Sequence, residues 1–167
     1  PIGTNLENMS KHHRNRNWAP APQPLPEDAH VIDNHTHVAS VVPFSQAMSH
    51  EAMEKGQGEV PVYSVDELLE QAQKVGVEGV IDCGCELPNL MTAIDMAREH
   101  PGTVHAAIAI HPNEAVLHGH RGAPGPDGLP IKYKPWHDIP FDEAMAEVHR
   151  LATTYPNQVV AIGETGM

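Results

Sequence analysis

Four short apolar runs, separated by segments that repeat with helical spacing, constrain this chain more than any other feature. The runs are Val31 to Val38, Gly79 to Cys85, Val104 to His111 and Val159 to Glu164, and their length and richness in β-branched residues predict strands. The first helix opens on a capping box, Ser64-x-x-Glu67. It continues through Val65, Leu68, Leu69, Ala72 and Val75 before Gly76 stops it. A second spans about Leu87 to His100, with Pro88 in its first turn, a stripe of Leu90, Met91, Ile94 and Ala97, and Pro101-Gly102 at its end. Phe141, Met145, Val148, Leu151 and Ala152 make the third, which finishes by Tyr155-Pro156. Four strands with three intervening helices predict an α/β sheet of parallel strands, joined by right-handed crossovers.

The conspicuous polar residues fall at the carboxyl ends of those strands. His35 and His37 end the first, His111 ends the third and Glu164 ends the fourth. In an extended run Asp33, His35 and His37 share a face, because strand side chains alternate with period two. Two imidazoles on one face suit a divalent ion, although an H-x-H in a chain with 13 histidines is also compatible with incidental placement. Glu164 closes an apolar strand, where an unpaired carboxylate is costly, so it requires a metal, a cation or hydrogen-bond donors. Site residues at the carboxyl ends of parallel strands are the arrangement of a TIM-type (β/α)8 barrel. An open doubly wound sheet competes, but the first strand leads into histidines where that fold carries a glycine-rich phosphate loop.

The remaining segments are less regular. Residues 1–29, with prolines at 20, 22, 24 and 26 and a small basic cluster at His12 to Arg16, read as a disordered or polyproline-like arm. Residues 39–62 show no sustained period and read as a long loop with one helical turn, in which His50 is a surface histidine. Residues 113–138 mix four glycines and three prolines with Lys132-Tyr133-Lys134-Pro135-Trp136-His137, and read as an inserted loop. Its last segment has basic and aromatic chemistry suited to a base or phosphate, and equally to a loop anchored by its own rings. A formal charge of −12 disfavours a broad electrostatic grip on nucleic acid or on an anionic membrane. Cys83 and Cys85, the only cysteines, lie within an apolar run and read as small core residues in a reducing, cytoplasmic setting. No apolar run is long enough to span a membrane. Pro1 and Met167 read as cut ends, Met167 closing an apolar strand without a polar terminator.

Taken in order, Val31-Ile32-Asp33-Asn34-His35-Thr36-His37, Ile110-His111-Pro112 and Ile162-Gly163-Glu164-Thr165-Gly166 resemble the strand-end motifs of the TatD family of metal-dependent deoxyribonucleases, in the amidohydrolase superfamily. The resemblance runs from about residue 30 to 167 and implies the first half of a barrel that needs about 250 residues in all. It implies that His35 and His37 bind one divalent ion, that Glu164 is a ligand able to bridge to a second, and that His111 lines a phosphate pocket. The ions would be Mg2+, Mn2+ or Zn2+. Asp33 matches the leading acidic residue and would support the ligands rather than join them. The family's later ligands and catalytic aspartate would lie beyond Met167, so the chain is expected to be an incomplete part of the hydrolase. Its partners would be DNA or a small phosphoester, together with the remaining half of the barrel or a copy of itself. Departures occur at Asn34, Ala39, Asn113 and Met167 and in the 113–138 insertion. Two other functions fit the same residues: an amidohydrolase acting on a small ester, lactone or amide, and a non-catalytic metal-binding module.

Overall fold

The computed structural model describes residues 24–57, 60–122, 124, 128 and 132–165. The elements run β1 (Val31–Thr36), α1 (Val38–Glu54), α2 (Val65–Lys74), β2 (Val77–Gly84), α3 (Leu87–Glu99), β3 (Val104–Ile108), α4 (Pro112–Ala115), a 3-10 turn at Pro135–Asp138, α5 (Phe141–Thr154) and β4 (Val159–Ile162). All four strands are parallel and lie in the order β1-β2-β3-β4. Sequential order is how a (β/α)8 barrel grows, whereas a doubly wound sheet reverses direction in its middle. The sheet is thus a parallel α/β arc of the barrel type.

Local chemistry accounts for the crossover helices. The Ser64 hydroxyl accepts the Glu67 N–H at 3.2 Å and the Glu67 carboxylate accepts the Ser64 N–H at 2.8 Å, which closes the capping box of α2. Gly76, at φ +97°, then turns the chain into β2. The core lies between helices and sheet: Leu90 and Ile94 of α3 and Val148 and Leu151 of α5 pack on Val104, Ala106 and Ile108 of β3. On the two outer strands Ile32, Val160 and Ile162 are more than half exposed.

Two expectations change. Residues 39–62 are not a loop with one turn, because α1 occupies Val38–Glu54. Val38, Val42, Ser45, Met48, Ser49 and Ala52 are among its less exposed positions, so two serines interrupt the stripe that would have marked the period. Pro43 within the helix masks it further. His50 is exposed and lies 3.5 Å from Glu54, one turn along the same helix. The connection between β1 and β2 therefore carries a helix beyond the three expected.

In the insertion, irregular as read, buried histidines join the aromatic rings: Tyr133 and Trp136 stand edge to face with His137, at 5.1 and 5.8 Å between centroids. His118 and His137 are almost fully buried. Nε2 of His137 lies 2.6 Å from Glu114, and Nδ1 of His118 donates to the Ile139 carbonyl at 2.8 Å. Of the expected arm, residues 1–23 lie outside the described residues. Further on, Leu25 donates its N–H to the Val75 carbonyl at 3.0 Å and rests against Gly76.

Candidate metal centre

The centre is built where β1 ends. Asp33 pairs with Val80 and Thr36 with Asp82, so three steps on β1 match two on β2, which is a bulge that re-aims the side chains between them. Asp33 accepts the His35 N–H at 3.2 Å and so braces the bulge. His37 follows the strand and serves as the N-cap residue of α1. Its Nδ1 lies 3.2 Å from the Cys83 carbonyl, which can only accept, so Nδ1 carries the proton and Nε2 keeps its lone pair. The His35 and His37 rings stand edge to face, with centroids 5.3 Å apart.

Glu164 meets them from the far edge of the sheet. Its Oε1 contacts Nε2 of His35 and lies 3.4 Å from Nε2 of His37, while its Oε2 lies 3.1 Å from Nε2 of His111. His111 has a different tautomer from His37. Its Nδ1 accepts the Asn113 N–H at 3.1 Å, so Nε2 carries a proton and donates to Glu164. His111 therefore steers the carboxylate and is no ligand in this arrangement. The ligand atoms of His35, His37 and Glu164 all lie within 4.8 Å of one another, the only such group of three or more among the described residues. Atoms bound about 2.1 Å from a common ion are separated by at most about 4.2 Å, so the set is close to a coordination shell. The lone pair of His37 and the carboxylate face each other as two acceptors, an arrangement that a cation between them resolves. The donor set thus fits a divalent metal.

Behind the ligands stands Asp82, 1% exposed, which accepts the Ala39 N–H at 3.3 Å and so caps α1. Burial pushes its carboxyl above the usual range, against the pull of the N–H groups of Ala39 and Val38. Burial likewise pushes the Cys85 thiol up to about 11; the nearby Glu164 carboxylate adds to the rise and a hydrogen bond from the Glu164 backbone opposes it. Cys83 is raised for the same first reason. A cleft of about 450 Å3 opens beside His37 and Cys83, between the starts of α1 and α3.

Every site residue expected from the sequence, His35, His37, His111 and Glu164, is therefore in one cluster. Asp82, Asn113 and the Cys83 carbonyl were not expected there. An acid inside an apolar strand signals Asp82, by the same reasoning that singled out Glu164, whereas backbone partners leave no signal in a sequence. No helix among the described residues is long and apolar enough to cross a membrane.

No curated protein matches the chain. A family model described as TatD related DNase matches residues 32–167, most of the chain and all four strands. The chain belongs to the TatD family of metal-dependent hydrolases.

Proposed function

We propose that this chain supplies the first metal ligands of a hydrolase of phosphodiester bonds, with DNA as its substrate, in a reaction that depends on divalent metal. The observation that carries this reading is the convergence of His35, His37 and Glu164 at the carboxyl end of a parallel sheet. When bound, Mg2+, Mn2+ or Zn2+ supplies positive charge for the phosphoryl oxygens and acidifies a water. The chain's own residues set the geometry. His35 and His37 present their Nε2 atoms from one side, and the Cys83 carbonyl holds the His37 ring in its ligating tautomer. Glu164 closes the set with Oε1, and its second oxygen would bridge to a second ion only by giving up its hydrogen bond to His111. His111, about one-third exposed, holds that second oxygen through Nε2–H and lines the space in which a phosphate would rest.

The test is hydrolysis of single-stranded DNA and of small carboxylic esters by the protein loaded with each of the three metals. DNA cleavage is expected. It should fall about a hundredfold or more in Glu164→Gln and His35→Ala, with metal affinity by calorimetry reduced alongside. In His111→Ala metal affinity should drop at most about tenfold while cleavage drops further. Turnover of esters but not of DNA would refute the nuclease reading. Undiminished metal uptake in both ligand variants would leave a non-catalytic binding module instead.

A further inference from the structure

The cleft beside His37 has a wall whose chemistry is one-sided. The Ser40 hydroxyl spends its hydrogen on the His37 carbonyl at 2.9 Å, and the Thr92 hydroxyl spends its own on the Pro88 carbonyl at 3.5 Å. Both turn lone pairs to the space they line. Glu86 adds a carboxylate, and Asp82 lies beneath the wall, 1% exposed and accepting the Ala39 N–H. Lys134, which reaches this wall at Glu86, is already committed: its Nζ lies 2.7 Å from Glu86 and 4.8 Å from the centre of the Trp136 ring. The oxygens of this wall therefore act as acceptors, its donors being the Asn89 amide and the weakly donating thiols of Cys83 and Cys85, and Pro43 supplies an apolar side.

We propose that this cleft receives the organic group of the phosphoester, and that it selects a group which donates hydrogen bonds and carries no negative charge, such as an amino-bearing nucleobase. This rests on the phosphodiester reading above, since the phosphate is taken to sit at His35, His37 and Glu164. A volume of about 450 Å3 is in the range of small-molecule sites. A second phosphate or a carboxylate entering here would set its lone pairs against those of Ser40 and Thr92, and the Lys134 ammonium that could answer it is already held by Glu86. A base edge bearing an amino group would satisfy the acceptors, whereas a carbonyl in the same place would leave them facing another acceptor. The aromatic and basic segment around Lys134 thus acts by neutralising Glu86 at the cleft's rim.

The experiment is calorimetric binding of deoxycytidine 5′-monophosphate, thymidine 5′-monophosphate and inorganic phosphate to the full-length protein loaded with Mn2+. Cytosine presents an amino donor where thymine presents a carbonyl. Deoxycytidine monophosphate should bind about fivefold more tightly than its thymidine counterpart, and both more tightly than phosphate. Thr92→Trp and Asn89→Trp, both at exposed positions of α3, should fill the cleft and reduce both nucleotides to the affinity of phosphate. Equal affinities for all three ligands in the unaltered protein, or a preference unchanged in both tryptophan variants, would overturn the proposal. Preference that is lost in those variants, in a protein that cleaves no DNA, would uphold the cleft and remove the reaction. DNA cleavage with kinetics indifferent to both variants would do the reverse.

Discussion

His37 shows how much is asked of one residue: it ends a strand, begins a helix and presents a ligand nitrogen, and the Cys83 carbonyl decides which nitrogen that is. The thiols on either side of that arrangement lend themselves to a direct test. With Cys85 pushed up to about 11 and Cys83 raised as well, both stay protonated at neutral pH. In the metal-free protein, alkylation by iodoacetamide at pH 8 should be slower than in the unfolded chain. It should accelerate only as the pH climbs towards that raised value; rapid modification at pH 8, read by mass spectrometry, would contradict the buried environment. The ligands themselves were legible in the sequence because a carboxylate or imidazole at the end of an apolar strand is costly there unless something binds it. The groups that orient them were not, because Cys83 acts through its carbonyl and Asn113 through its N–H, and every residue type other than proline offers the same two groups.

At the level of elements, the strands and the three crossover helices were legible wherever period and punctuation agreed, as they do between Ser64 and Gly76. The helix after β1 was not, since Ser45 and Ser49 stand among its less exposed positions, where apolar residues would have declared it. The buried histidines of the insertion were equally silent: His137 is tolerated inside because Glu114 reaches it across 23 positions, which no local pattern encodes. One close contact sets how α3 sits on the sheet. A Cβ added at Gly84 would lie 2.7 Å from the Asn89 carbonyl oxygen and 3.0 Å from the Leu90 Cα, both backbone atoms. Gly84→Ala should therefore push the start of α3 outward and destabilise the protein by about 1–3 kcal/mol, measured as a shift in the urea midpoint. An unchanged midpoint would mean that the helix yields without cost.

Across the whole molecule, the described sheet has two strands with one neighbour each, β1 and β4, and on those two strands Ile32, Val160 and Ile162 are exposed. Open edges beside exposed apolar side chains favour pairing with another chain. A polypeptide of these 167 residues should therefore self-associate, and sedimentation showing a dispersed monomer that unfolds cooperatively would argue against this. Its charge of −12 opposes but does not cancel that tendency, because repulsion between exposed charges is screened beyond about 8 Å at physiological salt. The sequential order of the strands also governs how the molecule comes into being. Each hydrogen-bonded strand pair joins neighbours along the chain, so the sheet can assemble one unit at a time without waiting for distant partners. Glu164 follows β4, and the two imidazoles that would share an ion with it lie at the end of β1. An ion can thus be gripped from both sides only once β4 has docked, so its capture waits for all four described strands.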